Sequence, residues 1–291
     1  MKSPFLLFSL FLLGCWSSDD KLPSEFAVAK EGYVVQKNDK SKILKNGKTI
    51  KQRILPPNGY LRSDTNKNSF EDYLRNLPLK PIGSKVKYYN GSSKENRNIY
   101  VAVVDLEIGK KNLHQCADAV MRLRAEYLWG QQIYDSIHFN FTNGFRVDYR
   151  EWMKGRRIVV NGNKTYWNNR NDPSNTYEDL WSYLEQIFIY AGTASLELEM
   201  EPVETSEVQI GDVLIQGGHP GHAVIIVDKA KNKKTGELVY LLAQSYMPAQ
   251  ELQVLQNPNN SNLNPWYDLD LDIIKTPEWT FSKDDLKRFK N

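Results

Sequence analysis

The amino-acid sequence predicts an α+β domain, and three observations carry that expectation. Two helix-length segments, one from Leu113 to about Trp129 and one from Tyr177 to about Ala191, open with capping residues and hold apolar side chains along one face. Three short apolar segments follow, at 213–215, 222–228 and 238–244, separated by Gly-containing turns, as consecutive antiparallel strands would be. No internal repeat is present, and helices precede strands instead of alternating with them, which favours α+β over a doubly wound α/β fold.

Composition narrows the function classes. Of 291 residues, 41% are hydrophobic and 25% charged, which suits a globular protein with an adequate core. Lys and Arg total 38 against 35 Asp and Glu, and a net charge of +3 gives no reason to expect a nucleic-acid partner. A mean hydropathy of −0.56 excludes a polytopic membrane protein. With 2 cysteines, neither a disulfide scaffold nor a four-cysteine metal cluster can form, so each cysteine needs its own explanation.

Residues 1–14 place Lys2 ahead of an apolar run from Phe5 to Leu13. That is about half the ~20 residues a spanning helix requires, and it reads as the h-region of a secretory signal. The polar stretch that follows, rich in Lys, Asn, Gly and Gln between Lys37 and Arg53, is expected to be a solvated tether over 15–53. From Ile54 the texture becomes that of a single domain over 54–291. Ser69 is placed to cap a short helix that stops before Pro78, and Val86–Tyr89 and Ile99–Leu106 have strand composition. The helix that follows has Asn112 as its expected cap and Gln115 at the reciprocal capping position. Residues 131–173, crowded with aromatics, Asn and Arg, are expected to be an irregular insert. Thr176 caps the second helix, Gly192 stops it, and Leu196–Met200 alternates like a half-buried strand.

Two residues in this frame suggest nucleophilic chemistry. Cys116 falls in the first turn of its helix, where unpaired N–H groups favour a thiolate. His222 starts an apolar strand between Gly221 and Ala223, so a partner has room to approach it. Gln244 is the lone polar side chain at the end of the next strand. If the two strands pair, Gln244 holds one imidazole nitrogen and leaves the other free for Cys116, a nucleophile–base–orienter set.

The segments Leu12-Leu13-Gly14-Cys15, Gly211-Asp212-Val213-Leu214-Ile215, Gly221-His222-Ala223-Val224-Ile225-Ile226-Val227-Asp228 and Leu242-Ala243-Gln244 carry family resemblances. The first resembles the lipobox of bacterial lipoproteins, which implies lipidation of Cys15, a membrane partner through that anchor, and residence in the bacterial cell envelope at the periplasmic face or cell surface. The others, in order after a helix-borne Cys, resemble the NlpC-type papain-like peptidases and amidases of bacterial cell walls. That resemblance implies a papain-like fold with the Cys helix packed on an antiparallel sheet, Cys116 as nucleophile, His222 as base and Gln244 as orienter, with no cofactor. It departs from the family pattern at Gln115, Ala117 and Asp118, where an Asp precedes the Cys and a Ser-Gly pair follows it. The runs Leu55–Tyr60, Tyr73–Leu79, Gln115–Tyr127 and Phe139–Arg157 are similar to a family of bacterial envelope lipoproteins without an established activity.

Other residues invite a role. Arg150, Trp152, Arg156 and Trp167 suit a cell-wall peptide or glycan, because guanidinium groups fork onto carboxylates and indoles stack on flat apolar faces. The four-ligand reading of His114, Cys116, His219 and His222 is set aside: on a helix, residues two apart point about 200° away from each other, so no metal site is expected. Asp228, Glu197 and Glu199 read as solvated or turn residues. The sequence therefore leads to a cell-envelope lipoprotein with a cysteine hydrolase domain, and its alternative is a cell-wall or glycan-binding lipoprotein that keeps the fold without the chemistry.

Overall fold

The segment beginning at His222 lacks polar alternation because the strand it forms is covered on both faces. A computed structural model describes residues 42–290. The elements up to the first long helix are α1 (Ile50–Arg53), β1 (Tyr60–Arg62), α2 (Phe70–Arg75), β2 (Tyr100–Val103) and α3 (Cys116–Gly130). Then come β3 (His138–Asn140), β4 (Arg146–Asp148), α4 (Tyr149–Met153), β5 (Arg156–Asn161), β6 (Lys164–Asn169), α5 (Tyr177–Tyr190), α6 (Thr193–Glu199) and β7 (Met200–Pro202). The chain ends in β8 (Val213–Gln216), β9 (His222–Asn232), β10 (Leu238–Gln244), β11 (Gln253–Leu255), β12 (Ile273–Lys275), β13 (Thr280–Ser282) and β14 (Leu286–Phe289).

The result is a mixed α/β fold with few helices around a mostly antiparallel sheet. Its strand order is β2-β11-β10-β9-β8-β14-β7, and β1 pairs with the far half of β9. Ala223, Ile225 and Val227 point to one side, where they pack with Cys116, Ala117, Val120 and Met121 of α3 and with Leu180, Leu184 and Ile187 of α5. Val224 and Ile226 point to the other side, against Tyr267, Ile274, Phe281 and Leu286. A strand buried on both faces reads as an unbroken apolar run, as this one does.

Several expectations are corrected. Residues 42–53, assigned to the tether, pack into the folded unit: Ile50 and Arg53 are buried, and Thr49 caps α1. Three apolar residues, Ile43, Leu44 and Ile50, among polar neighbours gave too little composition signal to mark them. Val86–Tyr89 forms isolated bridges, Lys87 to Ser93 and Tyr88 to Gln250, in place of a strand. The insert at 131–173 is ordered into two hairpins, β3–β4 and β5–β6, flanking α4. Residues 196–200 are not a strand. Leu196 and Met200, four apart, are both buried, whereas Leu198 between them is 81% exposed, and Leu196 and Leu198 lie within α6. Five residues are too few to separate a period of 2 from one of 3.6 when the buried residues sit at i and i+4.

Other expectations match. Ser69 and Thr176 accept from the backbone N–H groups of Asp72 and Asp179, as caps of α2 and α5. The strands β8, β9 and β10 are consecutive antiparallel neighbours.

Candidate functional site

Helix α3 begins at Cys116 itself. Asp118 turns its Oδ2 back to accept from the Gln115 N–H at 2.9 Å, which sets the start three residues later than the sequence suggests. Asn112 does not cap it; its Oδ1 accepts from the Ala249 N–H at 2.7 Å. Cys116 is buried and borders a cleft of about 390 Å³ whose other walls include Leu113, Asp118, Phe188, Thr193, Pro220 and Met247.

That cleft exists because two glycines allow the loop between β8 and β9 to close on α6. A Cβ on Gly221 would sit 2.3 Å from Thr193 Oγ1 and 2.7 Å from the carbonyl oxygens of Gln216 and Gly218. One on Gly217 would sit 2.5 Å from Glu197 Oε2. At Gly221 the clash is with fixed backbone and no side chain fits, whereas at Gly217 the Glu197 carboxylate would have to swing away.

The Cys116 sulfur lies beside the start of β9, within reach of the Ala223 N–H and of the first N–H groups of its own helix. These donors favour a thiolate. Burial outweighs them, and with the Asp118 carboxylate adding repulsion it pushes the thiol up to about 11. The expectation of a resting thiolate from the helix start alone is therefore corrected: the same burial that brings Cys116 to the sheet removes the water a thiolate needs.

His222 is the first residue of β9 and Gln244 the last of β10. Both are 1% exposed, and His222 Nε2 lies 2.8 Å from Gln244 Oε1, the contact that strand pairing was expected to allow. The imidazole is enclosed by Tyr246, Trp279 and Phe281, with ring centroids 4.8, 5.3 and 5.9 Å away. Burial holds its pKa down to about 4; the Gln244 hydrogen bond opposes that shift and the Lys94 charge adds to it. His222 is thus neutral at neutral pH, with a lone pair to offer as a base. Tyr246 meets His222 edge to face, and burial, with Glu278 and then Cys116 adding to it, raises its phenol.

Gln244 continues outward. Its Nε2 donates to Glu278 Oε2 at 2.6 Å, and the two Glu278 oxygens lie 2.7 and 2.6 Å from Lys94 Nζ. Lys94 also donates to Gln250 Oε1 at 3.0 Å. Sequence reading missed Lys94, Tyr246, Glu278, Trp279 and Phe281, because they come from separate loops and strands with no spacing pattern to link them.

The expected substrate residues lie elsewhere. Trp152 is buried in the core, with the Arg157 guanidinium 4.1 Å above its ring, so it offers no face for a sugar. Arg150 pairs with Asp135 at 2.7 Å, and Arg156 pairs with Glu151 at 2.5 Å while covering Trp167. None of the four lines the Cys116 cleft. Cys15 lies outside the described residues.

The expected surface carboxylates are also corrected in part. Asp228 is fully buried, with Arg62 at 2.5 Å and Arg75 at 2.7 Å. Glu199 accepts from the Asn140 N–H at 2.6 Å, and burial pushes it up to about 7. His114 is buried with no partner for Nδ1. Among the described residues no group of three or more His, Cys, Asp or Glu is placed to hold a metal ion. Also among them, no helix is long and apolar enough to cross a membrane.

Neither a curated protein nor a solved structure matches the chain. A family model described as Domain of unknown function (4846) matches residues 50–288, which take in the sheet, the Cys116 cleft and the His222–Gln244 contact. The chain belongs to that family.

Proposed function

We propose that the domain is a papain-like cysteine hydrolase that cleaves a peptide or amide of the bacterial cell wall, tethered to the envelope by a lipid on Cys15. The reading is supported by a buried helix-borne thiol beside the Ala223 N–H and by the preceding residue of the chain, His222, held by Gln244 at 2.8 Å. The resting pair is a neutral thiol and a neutral imidazole. In the proposed reaction the Cys116 sulfur bonds to the carbonyl carbon while its proton passes to the imidazole nitrogen that Gln244 does not hold. Backbone N–H groups at the start of α3 receive the oxyanion. The imidazolium returns the proton to the leaving amine as the C–N bond breaks. Water then opens the thioester, giving its proton to His222 and releasing the carboxylic product and the thiol.

A second reading has its own support. A thiol pushed up to about 11 beside an imidazole held down to about 4 has little tendency to form an ion pair, as suits a binding module that retains the fold and takes cell-wall peptide or glycan in the Cys116 cleft. Mass spectrometry of a muropeptide mixture incubated with the full chain separates the two. The hydrolase reading expects new fragments that Cys116→Ser and His222→Ala abolish. Muropeptides retained by the protein but left intact would overturn it in favour of the binding module.

A further inference from the structure

The Gln244 amide is fixed from its far side. An ionised carboxylate can only accept hydrogen bonds, whereas a glutamine amide has one accepting and one donating end. The 2.6 Å contact with Glu278 Oε2 must therefore use the Gln244 NH₂, which turns Oε1 toward His222 Nε2 at 2.8 Å. Because that oxygen only accepts, Nε2 must carry the ring proton and Nδ1 the lone pair. Without Glu278 nothing in this set decides which way the amide faces, since either end can pair with one of the two neutral imidazole tautomers. Lys94, itself buried, holds the deciding carboxylate in place, with its Nζ near both oxygens.

We propose that Glu278, held by Lys94, is a positioning residue that sets the tautomer of His222 through Gln244. The inference rests on the hydrolase reading for one point only, that the freed Nδ1 serves Cys116. Glu278 sits far along the chain from the segments that resemble cell-wall peptidases, at the turn before β13, so the C-terminal hairpin becomes part of the site and not simply a cover for the sheet. Tyr246 also lies against the imidazole, its ring centroid 4.8 Å away.

The tautomer can be read directly. Long-range ¹H–¹⁵N spectra of the full chain labelled at histidine nitrogens, with His222 assigned by its loss in His222→Ala, report which nitrogen is protonated at pH 7.5. In the wild type the Nε2–H form is expected alone. In Glu278→Gln, an isosteric change whose carboxamide can both donate and accept, the Gln244 amide can reverse. The preference for Nε2–H over Nδ1–H is then expected to fall at least tenfold, leaving both forms visible. Lys94→Met, which keeps Glu278 and removes its counter-ion, should move the ratio in the same direction by less, and it supplies the reading should Glu278→Gln fail to fold. A wild type in the Nδ1–H form, or a ratio unchanged in the folded variants, overturns the proposal. The outcome is separable from the hydrolase test: a shifted ratio without muropeptide cleavage supports the positioning and removes the hydrolase, while cleavage with an unchanged ratio does the reverse.

Discussion

The protonation state of Cys116 gives the sharpest test of how burial and backbone donors compete at this site. Backbone N–H groups near the sulfur favour a thiolate, yet burial carries the thiol from an ordinary 9.0 to about 11. Below its pKa a thiol loses thiolate tenfold per pH unit, so at neutral pH Cys116 should hold about a hundredfold less thiolate than an unperturbed cysteine. In a Cys15→Ala background Cys116 is the only thiol. Its rate of reaction with iodoacetamide should climb tenfold per unit through pH 9 without a plateau, starting about a hundredfold below that of a free cysteine peptide at pH 7. His222→Ala should leave the profile in place, because a histidine neutral above about pH 4 offers the sulfur no charge. The same shift has a consequence for folding. The unfolded thiol ionises first, so stability should fall by about 3 kcal/mol as pH rises from 9 through 11. An inflection well below 9 that moves upward in His222→Ala would refute the reasoning, since it would show a resting thiolate–imidazolium pair that burial had failed to prevent.

Three further outcomes are expected. Asp228→Asn removes the only carboxylate between Arg62 and Arg75 and leaves buried guanidinium charge uncompensated, so chemical denaturation should show a loss of about 3–5 kcal/mol; a loss below about 1 would mean the pair is solvated. Gly221→Ala forces a methyl to 2.3 Å from Thr193 Oγ1, and a loss of about 1–3 kcal/mol in urea midpoints is expected, with an unchanged midpoint showing that α6 yields freely. His222 is held down to about 4 against an ordinary 6.5, so its contribution is present above pH 6.5 and is lost as pH falls toward 4, amounting to about 3 kcal/mol. Thermal melts across that window should show a shallower acid limb for His222→Ala than for the wild type, and parallel limbs would contradict the buried neutral imidazole.

The legible parts of the fold were those where a side-chain pattern repeats over enough residues. Fourteen residues of α5 with Thr176 at the cap, or an apolar run such as that of β9, leave one period standing. The elements misread are short ones that get their stability from tertiary neighbours. Leu196 of α6 and Met200 just beyond its end form a buried pair that mimics alternation, and in α1 a single Ile50 inserted in the core is invisible against Lys and Gln. The insert was read as irregular because β5 and β6 are half-exposed ribbons whose Arg and Asn content suits a loop equally well.

The site divides along the same line. His222 and Gln244 could be brought together on paper because antiparallel pairing of neighbouring strands is a local rule that brings the start of one strand near the end of the next. Cys116 could be placed at a helix start by the same kind of rule, but its protonation could not, since a helix start says nothing about how much water the sheet will exclude. Glu278 and Lys94 lie 184 positions apart in the sequence and meet only through the closed sheet. Local rules place the groups that would react; the long-range packing of the sheet sets which protons they carry, here a thiol held protonated by burial and an imidazole whose ring proton answers to a carboxylate two side chains away.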